Sequence, residues 1–259
     1  AIATGWTVIS LAAAALTPTA ASADSTSAKQ VLKSMSVYMA SQKNLSARFD
    51  ASLDVVTPAA EKIQFASSGN MRLSRPDKLH VVRQGGYSDV ELVYDGQTAT
   101  VADRGYNLYA QMNSPGTVDQ LIDQLRSAHG FDMPGADLLL TRSYDELIRD
   151  VVEAKHIGVG IVEGQECNHL AFRNADTDWQ IWVRVGDKPL PCKMIITSKN
   201  VTAAPEYTVQ FHEWKSGGAA DGAAFSYKPQ PGARQVGFSE LKNIGELPPS
   251  APASTGEER

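Results

Sequence analysis

The chain has 259 residues, of which 42% are hydrophobic and 20% charged, so it can bury one large core and is not wholly disordered. Its 24 lysines and arginines against 29 aspartates and glutamates give a formal net charge of −5. No basic run or stripe stands out, and because binding to a phosphate backbone requires one, nucleic acid is not an expected partner.

The first 23 residues carry no charge and contain an apolar stretch from Trp6 to Leu16, followed by Pro18 and the small residues Ala21-Ser22-Ala23. This stretch of roughly 11 residues is far shorter than the ~20 that a membrane-spanning helix needs, and alanines at positions 21 and 23 fit the rule for cleavage. We therefore predict that residues 1–23 are a signal peptide, that the protein is periplasmic, and that the mature chain has no transmembrane segment. A buried N-terminal helix is the alternative.

This interpretation predicts that the mature protein begins near Asp24. N-terminal sequencing of protein taken from the periplasm tests it, and a chain that still began at residue 1 would contradict it.

A helix and six strands are predicted between the signal peptide and Met112. Apolar residues recur at spacings of three and four after Ser25, which indicates an amphipathic helix of about four turns. From Leu45 the period changes to two, and turn residues divide the sequence into short runs, which is typical of strands joined by hairpins. The apolar helix residues are Val31, Leu32, Met35, Tyr38 and Met39, and the strands are predicted at 49–56, 63–73, 78–83, 91–94, 98–102 and 106–112.

The middle of the chain returns to helical spacing. Thr117 is predicted to cap a helix that Gly130 ends, since glycine is the residue most often found after the last helical turn. Ser143 and Glu146 then have the spacing of a capping box, which predicts a third helix that continues to Val152.

Four consecutive strands are predicted between Gly164 and Trp214, after a strand at 156–163. Apolar and polar residues alternate in them, so that one face of the sheet is apolar and the other faces water. The third strand is ambiguous in this respect, because Ile195 has apolar neighbours on both sides. The apolar residues on one parity of the other three strands are Leu170, Phe172, Trp179, Ile181, Val183, Val185, Tyr207, Val209 and Phe211.

Two further strands are predicted near the end of the chain, at 225–228 and 234–238. The Pro, Ala, Ser and Glu content of 246–259 predicts a disordered tail. Strands outnumber helices, and the helices are segregated along the sequence. This order indicates an α+β fold with a large antiparallel sheet that is covered on one face, formed as one domain over residues 24–245.

The two cysteines, Cys167 and Cys192, are expected to pair because the protein is exported. In a simple meander, however, they begin the first and third strands and lie about 10 Å apart, whereas a disulfide needs Cα atoms within about 7 Å. Either the loop at 189–191 brings Cys192 across the strand end, or both thiols stay free.

Catalytic motifs are missing from the sequence. The nearest approach to a serine-hydrolase elbow, Gly86-Tyr87-Ser88-Asp89, lacks the second glycine. Cys167, His169, Cys192 and His212 offer the ligand types of a zinc site, but their spacing does not match a compact metal motif, and a disulfide with two ordinary histidines is the simpler interpretation. We predict no catalytic residue, no bound metal and no cofactor.

Several segments resemble a family of predicted bacterial periplasmic proteins of unknown function. That family is similar in fold to the lipoprotein carriers LolA and LolB and to the regulator RseB, in which helices cover the concave apolar face of a strongly curved antiparallel half-barrel. The segments that carry the resemblance are Cys167–Arg173, Asp178–Trp182 and Pro189–Lys193, with shorter matches at 94–96, 109–110, 115–117, 136–139 and 231–233.

The resemblance implies a LolA-like half-barrel and a non-enzymatic protein that holds a lipid, an acyl chain or a lipoprotein in a hydrophobic cavity. A cell-envelope regulatory protein that binds a protein partner, as RseB does, is the alternative, and a zinc-dependent enzyme is a third. The alternative to an open cavity is a core in which the helices fill the apolar face completely. The apolar alternation proposes as cavity wall Phe65, Met71, Leu73, Trp179, Ile181, Val183, Val209 and Phe211.

Overall fold

The computed structural model describes residues 25–131, 133–218, 222–241 and 244–245. The predicted signal peptide, 1–23, and the predicted tail, 246–259, lie outside the described residues, so both stay predictions.

Three α-helices and twelve strands form the described fold. The helices are α1 Ser25–Ser41, α2 Val118–His129 and α3 Ser143–Ile148, with short 3-10 helices at Ala136–Leu139, Gly222–Phe225 and Phe238–Glu240. The strands are β1 Asn44–Val56, β2 Lys62–Ser74, β3 Lys78–Gly85, β4 Asp89–Tyr94, β5 Thr98–Asp103, β6 Leu108–Asn113, β7 Glu153–Val162, β8 Gln165–Arg173, β9 Thr177–Arg184, β10 Pro191–Ser198, β11 Glu206–Ser216 and β12 Arg234–Gln235.

All twelve strands belong to one open sheet, in the order β12-β6-β5-β4-β3-β2-β1-β11-β10-β9-β8-β7. Strand β1 pairs with β2 on one side and with β11 on the other, and so joins two meanders into one sheet. Every pairing is antiparallel except that of β12 with β6, which is parallel and two residues long. The predicted α+β class with a large antiparallel sheet is confirmed, with this one mixed edge.

The first two helices lie where the sequence places them. The α1 helix buries one stripe of its surface, with Leu32, Met35 and Met39 fully buried, and packs on β7, β8 and β9. The α2 helix begins with a capping box between Thr117 and Gln120, and ends at Gly130, which adopts the left-handed conformation at φ 63°. Both helices therefore present an apolar stripe to the same face of the sheet.

One predicted element is shorter than expected, and another is wrong. The third helix ends at Ile148 and not at Val152, because the Val152 amide donates to the Arg173 carbonyl and already extends the β7–β8 ladder. Residues 225–228 do not form a strand; Phe225 is buried at the end of a 3-10 helix. Prolines at 229 and 231 follow it, and proline cannot donate a ladder hydrogen bond.

Cys167 and Cys192 form a disulfide with Cα atoms 7.1 Å apart, so the pairing predicted from export is confirmed. The register of β10 against β9 shifts between Pro191 and Lys193, and Cys192 is the residue at this irregularity. A bulge of this kind re-aims a side chain. It lets Cys192 reach across the end of β9 to β8, which a regular meander would not allow.

Removal of this disulfide is expected to destabilise the protein by about 3 kcal/mol, because it frees the loop between two residues that are 25 apart in sequence. Urea denaturation of the Cys167→Ser/Cys192→Ser double variant, compared with oxidised parent, measures the loss. Equal unfolding midpoints and slopes for the two proteins would contradict the expectation.

Gly69 in β2 is a point of close approach inside the sheet. It faces Phe49 of β1, and a Cβ atom added at Gly69 would lie 2.3 Å from the Phe49 Cζ atom and 2.3 Å from the Val82 carbonyl oxygen. The backbone oxygen cannot move aside as a flexible side chain can. Only glycine therefore allows the Phe49 ring to rest on the sheet here.

Gly69→Ala is expected to cost about 1–3 kcal/mol through overpacking. Gly86→Ala is the matched control, because nothing lies within 4 Å of a Cβ atom at that position. Thermal unfolding of both variants measures the difference. Similar unfolding midpoints would show that the strand shifts to accommodate the added methyl group and would contradict the expectation.

Candidate functional site

A cavity of about 720 Å³ lies on the apolar face of the sheet. It is bounded by the sheet on one side and, on the other, by α2, by residues 129–131 and 133–139, and by residues 238–241 and 244–245. Ligand-binding cavities in proteins typically have volumes of about 300–1,000 Å³. This cavity is the candidate functional site.

The sheet wall of the cavity comes from six strands that are consecutive in the sheet, from β5 through β1 to β11. In a flat sheet the outer two of these strands would be about 24 Å apart. Because their side chains line one cavity, the sheet must curve around it. The lining side chains from the strands are Phe49, Leu53, Met71, Leu79, Val81, Arg83, Val90, Leu92, Val101, Tyr207, Val209, Phe211 and Trp214.

The opposite wall is built from helix and loop residues. Ile122 and Leu125 extend from the apolar stripe of α2, and both are buried. After Gly130 turns the chain, the following loop and the 3-10 helix at Ala136–Leu139 continue the wall. Lining side chains from this stretch include Phe131, Met133, Pro134, Leu138 and Leu139.

Charge is confined to one end of the cavity. Among the described lining residues, only Arg83 and His129 have side chains that can carry a positive charge, and none is acidic. The Arg83 Nη2 atom donates to the Ile244 carbonyl oxygen at 2.6 Å, and the His129 ring stacks on Phe238 with centroids 4.3 Å apart. Both side chains thus contact residues of 238–241 and 244–245, so the groups that can carry a positive charge gather at that end of the cavity.

Only part of the wall proposed from the sequence lies at this cavity. Met71, Val209 and Phe211 line it. Leu73, Trp179, Ile181 and Val183 are instead buried in the hydrophobic core. Phe65 packs edge to face on Tyr87, with ring centroids 5.7 Å apart.

Trp214 is a lining residue that strict alternation misses. Strict two-residue alternation would place Trp214 on the polar face, because Phe211, three residues earlier, faces the cavity. The register of β1 against β11 shifts at this point, however, and Glu213 adopts a positive φ of 50°. The bulge turns Trp214 to the cavity side, where its ring lies 5.3 Å from that of Phe211 and its Nε1 atom donates to the Pro191 carbonyl at 2.8 Å.

The four candidate zinc ligands do not form a metal site. The two sulfurs are bonded to each other, and His169 stacks on Trp182 with its Nε2 atom 2.8 Å from the Gln180 Oε1 atom. His212 contacts two carboxylates. Within the described ranges, no group of three or more His, Cys, Asp or Glu residues is placed to hold a metal ion.

Titratable groups gather instead on the polar face, away from the cavity. The His212 ring lies 2.9 Å from an Asp50 oxygen and 2.7 Å from a Glu163 oxygen. The Ser68 hydroxyl donates to Asp50 at 2.6 Å and lowers the pKa of that carboxyl, and His212 and Arg48 lower it further. This cluster joins β1, β2 and β11 to the β7–β8 turn and is the water-facing side predicted from the alternation.

The fold and the cavity define an α+β protein with one curved open sheet whose concave face is partly filled by helices and partly hollow. Residues 28–239 match the model of the family described as "Predicted periplasmic protein (DUF2092)", and the chain belongs to this family. The family resemblance inferred from the sequence is thereby confirmed. No curated protein matches the chain.

The chain is similar to several solved structures at low sequence identity. Lipoprotein LppX of Mycobacterium tuberculosis is 7% identical with a TM-score of 0.40, covering 76% of this chain and 100% of that one. The MucA/MucB complex of Pseudomonas aeruginosa is 12% identical with a TM-score of 0.43, and the match covers 78% of this chain and 61% of that one. The LolA superfamily protein NE2245 of Nitrosomonas europaea is 8% identical with a TM-score of 0.30, and the match covers 77% of this chain and 97% of that one. At these values the likeness carries no information about a ligand.

The family description agrees with the predicted export. Among the residues that the structure describes, no helix combines the length and the apolar character that crossing a membrane requires.

Proposed function

We propose that the protein is a non-enzymatic periplasmic binding protein that holds a hydrophobic ligand, namely a lipid, an acyl chain or the lipid part of a lipoprotein, in the cavity. The observation that carries the proposal is a space of about 720 Å³ whose wall is almost entirely apolar. An apolar cavity of this kind does not hold water well, because water there finds few polar partners.

The free energy for binding would come from the ligand's own apolar surface. Each Å² of apolar surface removed from water contributes roughly 25 cal/mol, against the cost of immobilising the ligand. The cavity wall is held by the sheet, by the capped α2 helix and by the left-handed turn at Gly130, so little ordering of the protein is needed on binding.

An amphiphilic ligand would lie in one direction only. Its polar end would lie near Arg83, His129 and Ser239, and its chain would extend across the sheet toward Met71, Val209 and Phe211. The reverse orientation would bury a polar head group among mainly apolar side chains, which costs several kcal/mol where no hydrogen bond replaces those to water.

Enzymatic function has less support. The cavity lining contains no carboxylate, and its one histidine stacks on Phe238. The zinc alternative loses two of its four ligands to the disulfide. The second function, binding of a cell-envelope protein partner, does not need the cavity, and so cavity occupancy separates it from ligand binding.

Val81→Trp should block ligand uptake while leaving the protein stable. Val81 lines the cavity and is half-buried, so the larger ring has space to enter. Val183→Trp is the matched control, because Val183 is fully buried in the core, and overpacking there should cost about 1–3 kcal/mol. Titration with the uncharged probe N-phenyl-1-naphthylamine and thermal unfolding measure both effects.

The proposal is contradicted if the parent protein binds no probe and Val81→Trp is as destabilised as Val183→Trp, since the space would then be a packed core. Native mass spectrometry of protein from the periplasm adds an independent check. A retained lipid mass in the parent that is absent from Val81→Trp identifies the ligand class.

A further inference from the structure

The cavity wall becomes more exposed in one direction along the strands. In β1, Ala51 is buried and Leu53 is half-buried, and in β11, Val209 is buried and Tyr207 is half-buried. Leu53 and Tyr207 lie opposite each other in the ladder, and both line the cavity. Because exposure rises in the same direction along both strands, the cavity opens toward the hairpin that joins β1 to β2.

The apolar surface continues past this opening. Phe65 lies opposite Leu53, and the next pair on the same face is Val55 with Ile63. Ile63 is 41% exposed, and Tyr87 of the β3–β4 turn is 53% exposed and packs edge to face on Phe65. We call Val55, Ile63, Phe65 and Tyr87 the hairpin strip. Exposed apolar residues that are contiguous in this way mark a binding surface, whereas isolated ones do not.

The cavity and the hairpin strip form one apolar path. The concave-face positions that β1 contributes to it are Phe49, Ala51, Leu53 and Val55, and all four are apolar. The path from Phe49 to Val55 is about 20 Å long, since a strand rises ~3.4 Å per residue. A lipid chain in a bilayer spans about 15 Å, which is half of the hydrocarbon core. The path therefore has room for more chain than one ordinary acyl group supplies.

Polar groups of the hairpin are paired on its opposite face. The Lys62 Nζ atom lies 3.5 Å from an Asp54 oxygen, and the Gln64 Nε2 atom donates to Asp54 at 3.0 Å. The Glu206 amide of β11 also donates to Asp54, at 3.2 Å, and so ties the hairpin to the neighbouring strand. These contacts hold the hairpin strip in place from behind, so a chain that binds it needs to order little of the protein.

We propose that the ligand is a lipid with more apolar chain than the cavity encloses, and that the outer part of the chain lies on the hairpin strip. This inference rests on the proposed function, because it concerns the ligand of the same site. The outer part is either a second acyl chain or the end of one very long chain, and both present the same methylene groups. Because the strip lies on the concave face, a chain that leaves the cavity reaches it without passing round an edge of the sheet.

The double variant Ile63→Thr/Phe65→Thr removes much of the apolar surface of the strip. Threonine is β-branched and favours strands, so the hairpin should stay folded. Val159→Thr/Ile161→Thr is the matched control, because these two β7 residues are 60% and 66% exposed and lie at the far edge of the sheet. Circular dichroism checks the fold of both variants.

Affinity for each lipid is measured by displacement of N-phenyl-1-naphthylamine, with the lipid presented on methyl-β-cyclodextrin so that no membrane is present. One comparison sets dipalmitoyl phosphatidylethanolamine against its one-chain lyso form, and the other sets lauric and palmitic acid against the longer behenic acid. We expect the strip variant to lose affinity roughly tenfold for the two-chain lipid or for behenic acid, and to bind the smaller ligands as the parent does. The comparison that shows the loss identifies the source of the outer chain.

The inference is overturned if the strip variant binds every one of these lipids as tightly as the parent and the control do. It is also overturned if the variant binds lipid on cyclodextrin normally but takes up less from phosphatidylethanolamine vesicles, since the strip would then contact a membrane. A probe affinity that falls as far as the lipid affinity would mean that the strip only shapes the cavity.

The probe separates this inference from the proposed function. A parent protein that binds no probe contradicts the proposed function itself, whereas a parent that binds the probe beside a strip variant with unchanged lipid affinities contradicts this inference alone. If the double variant does not fold, Tyr87→Ser takes its place, because Tyr87 lies in an exposed turn and its loss leaves the strands intact.

Discussion

The pairing of β1 with β11 is the interaction on which the rest of the structure depends. It joins residues that are about 160 apart in sequence, such as Phe49 and Phe211, and makes one sheet from two separate meanders. Without it, the cavity would lose one side, because the β11 residues Tyr207, Val209, Phe211 and Trp214 lie across β1 from the wall residues of β2 to β5. Contacts this distant in sequence cost loop-closure entropy, so this pairing is expected to slow folding relative to a chain with only local strand pairs.

The apolar face of the sheet has two parts with different roles. Over β7 to β9 it is covered by α1, and the α1 residues Leu32, Met35 and Met39 are themselves fully buried. From β5 through β1 to β11 in the sheet order it faces the cavity, because α2 and residues 129–131 and 133–139 form an opposite wall that does not fill the space. One part gives the fold its packed core, and the other part is free to hold a ligand.

The sequence predicts the strands well because two-residue alternation is a local property, and all strands of both meanders are confirmed. It does not show which part of the apolar face is hollow. Trp179 and Val183 share the pattern of Val209, and only the position of α1, set by contacts far along the chain, separates core from cavity wall. A periodic pattern also does not predict the bulges at Cys192 and Glu213. These bulges orient Cys192 toward its disulfide partner and Trp214 toward the cavity.

Residues 238–241 and 244–245 close one end of the cavity without belonging to the sheet's long strands. The Phe238 ring packs on those of His129 and Phe131, Leu241 is buried in one cluster with Val101 and Ala110, and the Ile244 carbonyl oxygen accepts from Arg83. None of these contacts is a hydrogen bond of the strand ladders. A change of side chain here would therefore reshape one end of the cavity, while the hydrogen bonds that define the sheet stay the same.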